Sequence, residues 1–396
     1  MIKIHVLIFG FALLFLGCKS NNDNKDESVV YANKLLKQRY KKLLEYPVDS
    51  IRFPRSYSYG KKQIKQVTSR DWTSGFFAGN LWQIYNLTGD KKYKERAELW
   101  TAFIEKEKHN DRTHDMGFKV YSSFGNGLKL DKNNQHYKDV IVKSAKTLST
   151  RFNNNVGSIR SWDFNIDIWE FPVIIDNMMN LELLFEATKI SGDSLYHKIA
   201  VKHANTTLKN HFREDGSTWH VLDYDTITKQ VRAKFTHQGI ADNSAWARGQ
   251  GWAINGFTMM YRYTKDIKYL NRAKATANFF INHDNLPKDG IAYWDFNDPS
   301  IPNVSRDVSA SAIVASGLVE LYEYTKDEAY LNFSKKVVES IKTISNTYIL
   351  SEDKSIPFIL DHSFGDWSKR SEMNEPIVYG DYYFLQTLIR LKNLES

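Results

Sequence analysis

Leu87-Thr-Gly-Asp-Lys-Lys-Tyr93 decides the fold, because the chain repeats it. Ile190-Ser-Gly-Asp-Ser-Leu-Tyr196, Tyr263-Thr-Lys-Asp-Ile-Lys-Tyr269 and Tyr324-Thr-Lys-Asp-Glu-Ala-Tyr330 are copies, and Leu130-Asp-Lys-Asn-Asn-Gln-His-Tyr137 is a looser one. Each follows an aromatic-rich apolar segment of helical period and precedes a second one, as in Tyr269–Phe280. The Gly or Lys ends the first helix, and the Asp after it caps the second. The Tyr and the small residue one turn later then share a face and pack inward. Self-similarity of this kind is the mark of a repeat architecture. Five helical hairpins are visible, and a helix near Val30–Tyr46 pairing with Gly380–Lys392 completes a sixth. Six hairpins closed into a ring predict an all-α (α/α)6 barrel, with apolar inner helices and amphipathic outer ones. Strand signals are confined to Thr218–Tyr224 and Lys229–Lys234, which read as a hairpin within a loop.

In such a ring the short turns lie at one end, so the long connections gather at the other. Those connections carry DWTSGF from Asp71, THDMGF from Thr113, SIRSWD from Ser158, THQGIADNSAWARGQ from Thr236 and NDPSIPNVSRD from Asn297. A carboxylate also interrupts an apolar run: Asp176 in Phe171–Asn180, FPVIIDNMMN, which reads as the opening of an inner helix through NLELLFEAT. A helix without a polar stripe is enclosed by protein. An ionised carboxylate buried there without a partner raises its pKa and becomes a proton donor near neutrality. A structural Asp satisfied by Asn177, Asn180 or backbone is the alternative. Asp115 in Thr113–Phe118 opens the preceding inner helix, either as a helix cap or as the second member of an acid pair facing one cavity.

The whole chain narrows the classes further. Composition is globular, and the 14% aromatic share suits sugar-binding surfaces as well as a helical core. The formal charge of +8 favours polyanionic partners by steering, or reflects a Lys- and Asn-rich composition. No basic cluster with interleaved aromatics supports nucleic acid. Met1–Lys3, the apolar stretch Ile4–Leu16 and Leu16-Gly17-Cys18 read as a secretory signal ending in a bacterial lipobox, too short for a stable membrane span. Residues 1–17 are therefore expected to be a lipoprotein signal peptide, Cys18 the lipidated residue, 18–29 a flexible tether, and 30–396 one catalytic domain. The product is expected on the outer membrane of a Gram-negative bacterium, facing the periplasm, with the cell surface as the alternative. Cys18 is the only cysteine, so the mature chain has no internal disulfide and no thiolate metal cluster. HExxH, calcium-loop, GxSxG and phosphate-loop patterns are missing as well, which argues against metal, serine-nucleophile and nucleotide chemistry.

Other candidates sit in the long connections. His220, at the expected hairpin, is an acid–base group, a carboxylate-orienting group or a structural histidine, and Gln238 is a hydrogen-bonding sugar reader. Arg248 is either a planar fork for a substrate carboxylate or an internal ion pair beside core tryptophans. Trp252 follows one turn later on the same face. Trp72 and Trp162 offer stacking surfaces or core packing. Ser368-Lys-Arg-Ser371, with Ser368 and Lys369 foremost, suits an anionic substituent or is an exposed basic turn.

Taken together, DWTSGFFAGNLW, THDMGF, SIRSWD, FPVIIDNMMNLELL, THQGIADNSAWARGQGW, YWDF, SRDVSASA and GDYYF resemble glycoside hydrolase family 88, the unsaturated glucuronyl hydrolases. The resemblance runs in order from about Asp71 to Leu391. It implies the (α/α)6 barrel and an exo-acting enzyme that removes the 4,5-unsaturated uronic acid left by polysaccharide lyases. It also implies hydration of the C4=C5 vinyl ether, with Asp176 as acid and then base, and Asp115 orienting substrate and tuning Asp176. His220, Gln238, Arg248 and Trp252 match subsite positions, and no cofactor is expected. Sulfated or otherwise anionic glycans, glycosaminoglycans or ulvan, are the expected substrates. The alternatives are an unsaturated rhamnogalacturonyl hydrolase acting on pectin fragments and a non-catalytic glycan-binding lipoprotein.

Overall fold

The repeated turn forms as its sequence directs in a computed structural model, which describes residues 33–343, 348–351 and 354–395. Gly89, Gly192, Lys265 and Lys326 each end a helix in the left-handed conformation. Asp90, Asp193 and Asp266 each accept the backbone N–H two residues on and so cap the next helix. Asp327 accepts from Ala329 in the same way. In the looser copy the cap is Asn134, which accepts from Tyr137 N. The Tyr after each of the four close copies is buried, and so is the small residue one turn on: Ala97, Ala200, Ala273 or Ser334. The Cys18 reading and the tether lie outside the described residues.

The protein is mainly helical. Among the described residues the α-helices are α1 (Lys34–Glu45), α2 (Ser74–Thr88), α3 (Lys91–Ala102), α4 (Asn126–Leu130), α5 (Gln135–Ser149), α6 (Leu181–Ser191), α7 (Ser194–Asn210), α8 (Ala247–Thr264), α9 (Ile267–Ile281), α10 (Val308–Thr325), α11 (Glu328–Thr343) and α12 (Val378–Glu395). A π-helix, Gly117–Gly125, runs straight into α4, and a 3-10 helix, Ile175–Asn180, runs into α6. α2, α8, α10 and α12 are buried along most of their length. They pack in the order α8, α10, α12, α2, and the π-helix and 3-10 helix link α2 back to α8. By contrast α3, α5, α7, α9 and α11 each bury one face against the preceding apolar helix, as amphipathic elements do.

Two expectations change. The segment Phe171–Asn180 is not the start of an α-helix. Pro172–Ile174 is a strand, β5, and α6 begins only at Leu181. The β-branched Val173 and Ile174 are buried on both faces of a small sheet, which suits them better than a helix. Strand structure is also more abundant than the sequence shows. Besides the expected hairpin, now β6 (Val221–Tyr224) and β7 (Val231–Phe235), two others flank the long-loop end. They are β1 (Arg52–Ser58) with β2 (Gln63–Thr68), and β8 (Ser363–Asp366) with β9 (Ser371–Glu375); a two-residue pair, β3 (Phe152–Asn153) and β4 (Ser158–Ile159), completes the set. β5 pairs with β6 and β6 with β7, all antiparallel.

Glycine sets how closely the central helices approach. A Cβ at Gly256 on α8 would stand 2.4 Å from Cβ of Met178 in the 3-10 helix, and one at Gly117 would stand 2.6 Å from Cα of Asn180. Asn180 Oδ1 accepts the N–H of Phe118 at 3.0 Å, which ties the π-helix to the 3-10 helix. Gly256→Ala is expected to cost about 1–3 kcal/mol, the usual penalty for overpacking, read as a lower denaturant midpoint with an unchanged slope. An unchanged midpoint would show that α8 and the 3-10 helix pack less tightly than described.

Candidate active site

Strand register places the first two groups. Ile174 pairs with Val221, and Ile175 N donates to His220 O at 3.0 Å. The residues just beyond the paired strands, Asp176 and His220, are thereby neighbours: His220 Nε2 lies 3.7 Å from Asp176 Oδ2. His220 Nδ1 accepts the backbone N–H groups of His237 at 3.0 Å and Gln238 at 3.3 Å. An acceptor nitrogen carries no proton, so the ring proton sits on Nε2, facing Asp176. Burial, followed by the charges of His237 and Arg248, holds the His220 pKa well below its ordinary value, so the ring is neutral.

Asp176 is what the apolar run implies. Its side chain is 13% exposed and Oδ2 is buried with no hydrogen-bond partner among the described residues. Burial pushes its pKa up to about 7 and the nearby Asp115 adds to the rise, while the Arg248 guanidinium and the Trp252 indole oppose it. Asp381, on α12, shows why burial alone does not identify such a group. Burial raises it to about 7 too, yet its two oxygens accept Ile359 N at 2.9 Å and Leu360 N at 2.8 Å, which is a structural role. The unsatisfied oxygen is the difference.

Asp115 opens the inner helix as expected, though that helix is a π-helix: its backbone carbonyl accepts Lys119 N at 3.0 Å. Its Oδ2 accepts the Thr113 hydroxyl at 2.7 Å, and His114 Nε2 stands 3.1 Å from Oδ1. Thr113 and His114, whose part no local pattern announces, orient this carboxylate. Arg248 resolves toward its internal alternative. It is buried on α8, and Nη1 meets Asp307 Oδ2 at 2.9 Å and the Phe364 carbonyl, while Nη2 donates to Gly365 O at 2.6 Å. At least three of its five N–H donors are therefore committed to the protein. Trp252 is fully buried against Phe118 and Tyr383.

Beside this buried group is an open cleft of about 260 Å3, lined by Trp72, Arg112, Thr113, Asp115, Ser161, Trp162, Asp163, Phe164, His237, Gln238 and Lys369. It gathers residues from four of the five long connections, together with the β8–β9 turn. Trp162 stacks on Phe164 at 5.0 Å and meets Trp169 and His237, an aromatic wall in which Phe164 and Trp169 were not foreseen. Trp162 also meets His220 edge-on at 6.0 Å, so the wall connects the cleft to the buried acid. Trp72 is half-buried against Phe118 and Tyr379. Ser368 and Lys369 are both held by Asp366, through Ser368 Oγ at 2.7 Å and Lys369 Nζ at 3.0 Å. Asp366 carried no signal in the sequence beyond its proximity to that loop.

The arrangement offers one carboxyl protonated near neutrality, one oriented carboxylate, a neutral imidazole donor and aromatic walls, which together suit acid–base work on a sugar. Comparison with known proteins agrees with that chemistry. Residues 51–283 match the model of Glycosyl Hydrolase Family 88. An unsaturated glucuronyl hydrolase of Formosa agariphila is 58% identical over 392 residues, spanning 98% of each chain. The crystal structure of an unsaturated glucuronyl hydrolase specific for heparin superposes with a TM-score of 0.87 at 38% identity, covering 90% of this chain and 95% of that one. An aspartate-to-asparagine variant of the Streptococcus agalactiae enzyme, complexed with dGlcA-GalNAc6S, superposes with a TM-score of 0.72 at 26% identity, covering 90% and 91%.

A carboxyl whose native pKa is raised binds its proton more tightly folded than unfolded, so stability falls as pH climbs from the ordinary carboxylate range to about 7. Asp176→Asn removes that burden. Its unfolding free energy, read from denaturant titrations at each pH, is expected to match the wild type near pH 4 and to exceed it above pH 7, by an amount on the order of 1–4 kcal/mol. A variant no more stable than wild type at pH 8 would mean that Asp176 is satisfied in the folded protein.

Proposed function

The chain belongs to glycoside hydrolase family 88, the unsaturated glucuronyl hydrolases, and we propose that Asp176 carries its reaction by donating a proton to carbon. The observation that supports this is the unpartnered, buried Oδ2 of Asp176 facing the Nε2–H of a neutral His220. Protonated Asp176 adds its proton to C4 of the unsaturated uronate, and the positive charge is shared between C5 and the ring oxygen. Water attacks C5, and the Asp176 carboxylate takes its proton, which restores the acid. The C5 hemiketal then opens, and the freed C1 releases the remaining sugar chain. His220 Nε2–H stabilises the carboxylate between the two steps. Asp115 orients substrate and keeps Asp176 protonated by like-charge repulsion.

We assign Gln238, Trp162, Trp72, Ser368 and Lys369 to substrate, since all but Ser368 line the cleft and Asp366 holds both Ser368 and Lys369. Arg248 and Trp252 act from below, Arg248 chiefly through its charge. The helical hairpins read as an (α/α)6 barrel, with α1 packed on α2 and α3 and not, as expected, on α12; the return of α12 to α2 and the superposition on relatives of the family support the reading. The substrates are lyase-generated unsaturated oligosaccharides of glycosaminoglycan type. A relative specific for heparin and another complexed with dGlcA-GalNAc6S support this. An N-terminal signal with lipidation at Cys18, a tether over 18–29 and attachment to the outer membrane complete the proposal; they rest on the leader sequence.

Loss of the ultraviolet absorbance of the unsaturated uronate, measured on chondroitin, heparin, ulvan and pectin lyase products, tests the activity. Asp176→Asn is expected to lose about 10²–10⁴ in kcat, the range of general acid–base contributions. Wild-type protein that binds such sugars without bleaching them refutes the hydrolase. Because the acid form of Asp176 reacts, kcat/KM falls as pH rises through about 7. Asp115→Asn removes the like charge, so the alkaline limb should move to lower pH; an unmoved limb would separate Asp115 from the acid.

A further inference from the structure

The cleft holding Asp115 is small for an oligosaccharide. At about 260 Å3 it falls below the range of ~300–1,000 Å3 usual for ligand pockets. Two larger depressions adjoin it, and Arg112 lines all three. One, of about 800 Å3, contains Arg151 and Arg160, but both arginines pair with Asp163, at 2.7 and 3.6 Å, and Glu170 adds another carboxylate. Its charges are balanced within the protein. The other, of about 1050 Å3, is a groove between the β2–α2 turn and the loop leading to Asp115. It shares Thr113 as well as Arg112 with the cleft.

That groove presents Arg70, Lys106 and Arg112, with His109 and Asn110 beside them. Its carboxylates are already occupied. Glu107 is buried and paired with Lys119 Nζ at 2.8 Å, and it also accepts from Ser69 and Asn110. Asp111 faces Arg112 at 3.8 Å. Arg70 and Lys106 are exposed and make no ion pair among the described residues. Uncompensated cations beside a sugar cleft attract an anion on the same ligand.

We propose that this groove is an extended subsite for the anionic sugars that follow the terminal disaccharide unit toward the reducing end, engaging their sulfate or carboxylate groups through Arg70 and Lys106. The enzyme then favours unsaturated tetrasaccharides over disaccharides, and it does so most at low ionic strength, where exposed charges are least screened. The inference rests on the cleft being the hydrolase site.

The test compares wild type with Arg70→Ala/Lys106→Ala on the unsaturated disaccharide and tetrasaccharide of one chondroitin lyase digest. Both substituted residues are exposed, so the fold should persist, and turnover of the disaccharide reports it. On the tetrasaccharide kcat/KM should fall about 3- to 30-fold, the range two exposed ion pairs supply, and raised salt should shrink the difference. On the disaccharide it should not change. An equal fall on both lengths, or none on the tetrasaccharide, overturns the groove. Calorimetric titration of the tetrasaccharide into both proteins reads the groove without turnover. Weaker binding by the variant in a wild type that bleaches nothing would sink the hydrolase reading and leave the groove standing, and equal binding would sink the groove.

Discussion

The Arg248–Asp307 ion pair, fully inside the protein at 2.9 Å, is the contact on which the mouth of the molecule depends. Asp307 caps α10 through Ala310 N and also accepts Phe364 N, while Arg248 on α8 holds the carbonyls of Phe364 and Gly365 on β8. One pair therefore fixes two central helices and the C-terminal hairpin that presents Ser368 and Lys369. Buried pairs seldom add much net stability, but losing one partner leaves a charge stranded, typically at a cost of ~3–5 kcal/mol. The guanidinium also lies within electrostatic reach of Asp176 and keeps its pKa from rising further. Structure and acid strength share one residue.

The second constraint is the short β5–β6 pairing. It interrupts what the sequence presents as a continuous apolar helix and turns Asp176 toward His220. Without the strand, Asp176 would project from a helix whose neighbours are fixed by helical spacing, and His220, far along the chain, would have no reason to stand beside it. The 3-10 helix that follows is pressed against α8 at Gly256, which fixes the acid from the other side.

Much of this was legible in the residues. The Thr-Gly-Asp turn dictates its own geometry, since a left-handed helix end and an Asp cap are local properties, and five hairpins followed from it. Asp176 stood out because a lone carboxylate in an apolar run has few satisfactory explanations. Asp381 lies in an equally apolar helix and reached the same pKa without standing out, because its satisfaction by two backbone N–H groups depends on a loop distant in sequence. Arg248 was open between two roles for the same reason: whether a fork binds substrate or protein depends on what packs against it.

The sequence by itself determined the helical hairpins, their caps and the family motifs, because each of these is set by residues within a few positions of one another. The tertiary structure decided which oxygen of Asp176 is left unsatisfied, which nitrogen of His220 carries the proton, and that Thr113 and His114 hold Asp115. It also decided that Arg248 is spent on Asp307 and β8, and that Arg70 and Lys106 line one groove adjoining the cleft. All of these depend on hydrogen-bond partners and neighbouring charges brought together from separate segments, and no local pattern in the chain encodes that closure.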